Sequence, residues 1–174
     1  MNNGAATTLS VCVRGHAACV RVVGRANFTS SVDFKRVVQQ LQDGGCDELV
    51  LDLRDCRLMD STFLGVLAGL GSRCETARKE GHRCVVELFE PSDRVTELLD
   101  NLGVFGLFTV IHDAPPFECF QPIEEGSTSR DELTQTCYEA HQVLMKTSPE
   151  NERRFKDATE YFARTLRDGK KPAE

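Results

Sequence analysis

The sequence predicts an α/β fold, a mostly parallel sheet with helices on one side, followed by a C-terminal helical extension. Three observations carry this reading. Short alternating or apolar runs take turns with stretches whose apolar residues recur every three or four positions, as far as residue 111. The first two runs stand close around Gly15, which starts the sheet as a hairpin. After residue 129 only helical spacing remains.

Taken in order, residues 9–14 and 16–23 read as the two hairpin strands, the second with the clearer alternation. Gly24-Arg25-Ala26-Asn27 reads as a turn, with Phe28 placed to pack over the start of the next helix. That helix is expected from Ser30 or Ser31 to Gln42, with Phe34, Val37, Val38 and Leu41 on one face and Asp43-Gly44-Gly45 as its stop. Residues 47–53 alternate and then run apolar, as a half-buried strand does. The loop Arg54-Asp55-Cys56-Arg57 leads to a second helix, opened by Asp60-Ser61-Thr62 and continuing to roughly Arg78. Gly65, Gly69 and Gly71 inside it are expected to permit close helix–sheet packing. Residues 82–89 form a strand, Pro91 and Ser92 open a short helix carrying Val95, Leu98 and Leu99, and Leu107 to Ile111 is the last strand.

This pattern divides the chain into a domain at residues 1–112, a linker at 113–129, a helical pair at 130–168 and a flexible tail at 169–174. The linker holds three of the six prolines and the run Gly126-Ser127-Thr128-Ser129. In the pair, Leu133, Cys137, Ala140, Leu144 and Met145 form one stripe, and Phe155, Ala158, Tyr161, Phe162 and Leu166 form another after Pro149. Two such helices cannot bury their stripes alone. They fold as a hairpin against the open face of the sheet, or they mediate self-association as a homodimer; intramolecular packing is favoured by the moderate width of both stripes.

Composition narrows the function. Forty per cent apolar and 28 per cent charged residues suit a globular protein, and the formal charge of −6 comes without a basic cluster interleaved with aromatics, which argues against direct nucleic-acid binding. No apolar run is long enough to cross a bilayer, and Met1-Asn2-Asn3-Gly4 opens without the basic and apolar parts of a secretion signal, so a cytoplasmic location without membrane insertion is expected. Cys12, Cys19, Cys46, Cys56, Cys74, Cys84, Cys119 and Cys137 make no CxxC pair, and read as free core residues rather than a disulfide framework or a metal site. The four histidines are scattered outside any nucleophile or metal motif, and no glycine-rich phosphate loop occurs, so neither an enzyme nor a cofactor is expected.

The stretch that carries chemistry is Leu58-Met59-Asp60-Ser61-Thr62-Phe63-Leu64-Gly65-Val66-Leu67. Asp60 or Ser61 can cap the second helix, which puts Thr62 in its first turn. A phosphate there would meet free backbone N–H groups and the favourable end of the helix dipole, and a partner could read the added charge. Arg54 and Arg57 are candidates to hold that phosphate, or simply solvated loop charges.

With these motifs the first 112 residues resemble the STAS domain, named for sulphate transporters and anti-sigma factor antagonists. The resemblance rests on the hairpin, the Gly24 region, the Leu49-Val50-Leu51-Asp52-Leu53 strand, Met59-Asp60-Ser61-Thr62 before Leu64-Gly65-Val66-Leu67, and Leu98-Leu99-Asp100-Asn101-Leu102-Gly103. It implies a bacterial-type anti-sigma factor antagonist, a signal-transduction phosphoprotein in transcription regulation. Such a protein would bind an anti-sigma factor serine/threonine kinase, with Thr62 as phosphoacceptor and a phosphatase restoring the unmodified state. The kinase would bring the ATP and magnesium. By the same pattern Asn27, Phe28, Asp60, Ser61, Thr62 and Phe63 form the partner-binding surface. A glycine often follows the acceptor in the phosphorylated relatives; Phe63 stands here, and either obstructs a kinase or supplies an aromatic docking contact. The alternative is a phosphate-independent STAS adaptor in a stressosome, lipid-transport or other multiprotein assembly.

Overall fold

The computed structural model describes residues 7–113 and 115–169. Thr8–Arg14 (β1) and Ala17–Ala26 (β2) pair antiparallel, with Val11 opposite Val20 and Gly15 turning the chain at a φ of +61°. Phe28–Asp43 (α1) follows, then Glu48–Asp52 (β3), Cys56–Met59 (β4) and Ser61–Lys79 (α2). Val85–Phe89 (β5), Asp93–Asn101 (α3), a 3-10 turn at Phe105–Leu107 and Thr109–Ile111 (β6) complete the region of alternating elements. The chain then forms Gln121–Pro122 (β7), Arg130–Met145 (α4) and Pro149–Gly169 (α5). The sheet order is β6-β5-β3-β2-β1-β7; β2, β3, β5 and β6 run parallel, β1 pairs antiparallel with β2, and β7 pairs antiparallel with β1. This is the mixed α/β layer architecture expected, with its C-terminal helices.

The helices cover one face of the sheet. Val20, Val22, Leu51 and Leu88 from the strands meet Phe34 of α1 and Phe63, Leu67 and Leu70 of α2 in one cluster of buried side chains. Burying each such residue contributes on the order of 1.5–3 kcal/mol, which fixes the start of α2 against the sheet.

Several local expectations are corrected. Gly24–Asn27 is not a turn: Gly24 takes a φ of +90°, and a register shift between Gly24 and Arg25 lets β2 leave β3 and pair with β4. The loop expected at residues 54–57 therefore gives way to a strand from Cys56 onward. Phe28 is the first residue of α1 and 46% exposed, rather than packed over the helix. Cys74 and Cys84 are joined in a disulfide between α2 and the residue before β5, where their Cα atoms lie 4.9 Å apart; Cys12, Cys19, Cys46, Cys56, Cys119 and Cys137 are free.

Residues 115–123 are a strap rather than a tether. Phe117 and Phe120 pack with Ile111 on Cys19, Val50 and Phe89, on the face of the sheet away from the helices. The Arg21 guanidinium lies 3.8 Å from the Phe120 ring centre, and Ile123 donates its backbone N–H to the Leu9 carbonyl. Asp52 is buried beneath this strap, between Arg21 and Arg54. Burial alone would raise its carboxyl, but hydrogen bonds from Arg54 and Arg21 more than offset that and hold it below the usual carboxylate range. Arg54 is thus engaged by Asp52, not offered to a phosphate at Thr62.

With that face already covered, the C-terminal helices pack elsewhere. The expectation that they lie on the open sheet face is corrected: α4 packs on α2 and α1, outside the helical layer, and α5 packs on α4. Leu144 and Phe155 join the main core cluster. Of the tail expected at 169–174, residues 170–174 lie outside the described residues, as do the first six residues of the chain.

Candidate functional site: the start of the second helix and its C-terminal cover

Asp60 is the N-cap of α2. One carboxylate oxygen accepts the Phe63 backbone N–H at 2.9 Å and the other accepts the Phe28 backbone N–H at 2.6 Å. A single side chain therefore caps α2 and ties the start of α1 to it. Asn27 caps α1 in turn, its side-chain oxygen accepting from Thr29 and Ser30 at 3.0 Å each, while Ser30 accepts the Asn27 N–H. Asn27, Phe28, Asp60, Ser61 and Thr62 are thereby gathered at one end of the helical layer. Phe63 is not among them at the surface. It is fully buried, with its ring centre 4.9 Å from that of Phe34, so the expectation of a partner contact through Phe63 is corrected. As the third residue of α2 it points to the sheet, where an aromatic fills the core.

The surface at Ser61 and Thr62 is occupied by α4. Thr62 is 4% exposed and donates its hydroxyl to the Cys137 sulfur at 3.7 Å. Ser61 lies 3.0 Å from Nε2 of His141. The other ring nitrogen, Nδ1, is 2.9 Å from the Cys137 carbonyl, an acceptor only, so Nδ1 carries the proton and Nε2 accepts from the Ser61 hydroxyl. Burial pushes the His141 pKa down, against the smaller upward pull of the Cys137 carbonyl and the Asp60 charge; the imidazole is neutral in place. Burial likewise pushes the Cys137 thiol up, which favours its protonated form.

Helix α4 reaches this position because α2 is smooth there. A Cβ built on Gly65 would overlap the Ala140 carbonyl oxygen and stand 2.8 Å from the Ala140 Cβ. Gly65 thus serves a helix–helix crossing, not the helix–sheet packing expected, and Gly71 serves the close approach of Leu107 and Phe108. Phe155 and Phe162 of α5 flank the His141 ring at 5.2 and 5.5 Å between centres. At the edges, Lys35 pairs with Glu139 and Arg36 with Glu132. Asn151, buried at the start of α5, donates to the Leu102 carbonyl at 3.0 Å. Both ion pairs are open to solvent, which screens them, so they add little to docking. Leu144, Phe155 and Asn151 are the stronger anchors.

The Ser61–His141 pair has the spacing of a nucleophile and its base, yet its surroundings oppose acyl transfer. The Asp60 carboxylate stands beside the α2 N-terminus, where an oxyanion would have to form, and takes the Phe63 N–H that could have stabilised it. The pair is an interhelical tie. Among the described residues no group of three or more histidines, cysteines and carboxylates could hold a metal ion, and no helix is long and apolar enough to cross a membrane.

The family model described as the STAS domain matches residues 8–116 of this chain. The chain belongs to the STAS domain family. Among solved structures it is similar to the anti-sigma factor antagonist SpoIIAA in its unphosphorylated form, at 16% identity and a TM-score of 0.49, covering 62% of this chain and 90% of that one. It is also similar to a Thermotoga maritima protein assigned as an anti-sigma factor antagonist, at 17% identity and a TM-score of 0.48, covering 59% of this chain and 84% of that one. The STAS match ends at residue 116, before α4 and α5, so the cover over Ser61 and Thr62 comes from outside the matched region.

The sequence groups Asp60, Ser61, Thr62, Asn27 and Phe28, which the structure does bring together, but it does not point to His141, Cys137 and Ala140 beside them. Cys137 and Ala140 were legible only as members of an apolar stripe. Their pairing with Thr62 and Gly65 is a contact between residues about 75 apart in the chain, for which the only local signal is the Gly65–Gly69 spacing on one face of α2.

Proposed function

We propose that this STAS protein is a non-enzymatic, cytoplasmic regulator of the anti-sigma factor antagonist type, and that its C-terminal hairpin gates the partner surface. The surface comprises Asn27, Phe28, Asp60, Ser61 and Thr62, and the partner is an anti-sigma factor serine/threonine kinase, with a phosphatase to reset it. The observation that carries this reading is the position of α4 over Ser61 and Thr62. A protein partner at the start of α2 and helix α4 compete for one place.

Thr62 is the proposed phosphoacceptor, in the open form only. Its hydroxyl is buried while α4 is docked, so the hairpin must move before a kinase can reach it. Once added, a phosphate carrying about 1.5–2 negative charges would sit beside Asp60 and under Cys137. Burying that charge costs several kcal/mol, so phosphate and docked hairpin exclude one another. The second reading, a phosphate-independent adaptor, is favoured by the same burial of Thr62 and by Phe63 filling the core where a glycine often follows the acceptor.

The two readings separate in one experiment. Peptide mass spectrometry of protein from its native host is combined with partner capture by wild type, Thr62→Ala and Thr62→Glu. Phosphate on Thr62, with a kinase-like partner retained by Thr62→Ala and lost by Thr62→Glu, is the expected result. Equal capture by all three, with no phosphate under growth or stress, favours the adaptor.

A further inference from the structure

A groove of about 450 Å³ runs along the seam between the α2 start and the hairpin. Its walls come from both sides of the seam: Phe28 and Ser61 from the STAS domain, Leu133, Tyr161 and Phe162 from α4 and α5, with Arg130 at the rim. We propose that this groove is a binding site for a small aromatic carboxylate, which would act as a ligand holding the hairpin closed.

Size, shape and charge each point to that class. The volume falls in the range of small-molecule sites, about 300–1,000 Å³, which are mostly apolar with a few placed polar groups. Phe28 is 46% exposed and Tyr161 is 62% exposed, and both line the groove with Phe162. Three aromatic side chains offer ring faces and edges to a flat apolar body. The polar groups of the groove are nearly all engaged. The Asp60 oxygens accept from Phe28 and Phe63, Ser61 bonds His141, Thr62 donates to Cys137, and Thr134 and Thr165 donate to carbonyls within their own helices. Arg130 differs: among the described residues no carboxylate pairs with its side chain, and its guanidinium suits a bidentate carboxylate.

Because the walls belong to two parts of the molecule, the site is complete only when the hairpin is docked. A ligand that binds the closed form alone shifts the population towards it, by its differential affinity for the two forms. The consequence for partner binding rests on the gating function proposed above; the site itself does not.

The test uses the full chain and 2-naphthoate as probe, with 2-naphthamide as its neutral counterpart. The expected result is saturable 2-naphthoate binding at one site per chain, with at least tenfold weaker binding of the amide. Arg130→Gln should erase the preference for the acid, and Phe28→Ala should weaken both probes; both residues are exposed, so the fold is retained. Saturating 2-naphthoate should also slow hydrogen exchange in α4. Absence of saturable binding overturns the proposal, as does equal affinity for acid and amide. Concentration-dependent self-association that Phe28→Ala abolishes would assign the groove to a second copy of the chain, and also overturns it. If 2-naphthoate binds and protects α4 while partner capture is the same with and without saturating 2-naphthoate, the site stands and the gating function fails.

Discussion

Adding one methyl group at Gly65 should open the hairpin while leaving the STAS core intact. In Gly65→Ala the new Cβ would overlap the Ala140 carbonyl oxygen and stand 2.7 and 2.8 Å from the Ala140 carbonyl carbon and Cβ. Two of these three atoms are backbone, so relief requires α4 to move as a body. Overpacking of this kind costs typically about 1–3 kcal/mol. Alanine also stabilises the interior of α2 by about 0.5–1 kcal/mol relative to glycine, in docked and undocked forms alike. The docking equilibrium therefore carries the full clash, about 1–2 kcal/mol after partial relaxation, which is a factor of about 5–30 in the open population. Hydrogen exchange of the full chain reads this directly. Amides of α4 and α5 should exchange about 5–30 times faster, while those of β2, β3 and β5 keep or gain protection. Unchanged α4 exchange, or equal loss across sheet and hairpin, would refute the steric reasoning.

Two further substitutions probe the same interface. His141 is neutral in the docked hairpin and its pKa is lowered, so the unfolded chain binds its proton first as pH falls. Its stabilising contribution is present above about pH 6.5 and declines below it, towards the lower folded value. Urea midpoints should drop between pH 7.5 and 5.5 in wild type, and less in His141→Gln; identical slopes would contradict the assignment. Asn151→Ala removes the bond to the Leu102 carbonyl and should cost about 1–3 kcal/mol in urea denaturation, with Asn151→Asp, which offers no donor, failing to restore it.

Local signals carried far in this sequence, and stopped where long-range contacts decide the structure. Asp60 and Thr62 were legible because helix capping is a contact over two or three residues. The central strands were legible because Leu49-Val50-Leu51-Asp52-Leu53 and Val85-Val86-Glu87-Leu88-Phe89 are largely apolar runs of strand length. Strand β4 was not, because its four residues include the exposed Arg57 and its pairing depends on a bulge at Gly24 more than thirty residues earlier. The strap at 115–123 was hidden by its prolines, which mark loops well but do not show that Phe117 and Phe120 cover a sheet face. The Cys74–Cys84 link was hidden for a similar reason: ten residues of separation do not reveal that α2 and the start of β5 converge. The seat of the hairpin was hidden most deeply. The stripes on α4 and α5 show that these helices need a partner surface, but not that Gly65 offers one and that the other sheet face is already filled.

The measurement that bears most directly on gating is partner capture by a Thr62→Cys variant, before and after reduction. Thr62 and Cys137 are already in side-chain contact at 3.7 Å, so mild oxidation can join the introduced thiol to Cys137 and lock α4 in place. The oxidised protein should capture no protein partner from native-host extract and the reduced protein should recover it, while wild type, which has the Cys74–Cys84 disulfide but no link to Cys137, captures equally in both states. Equal capture in both states, with the engineered link to Cys137 verified by peptide mass spectrometry, would contradict a hairpin that covers the partner surface.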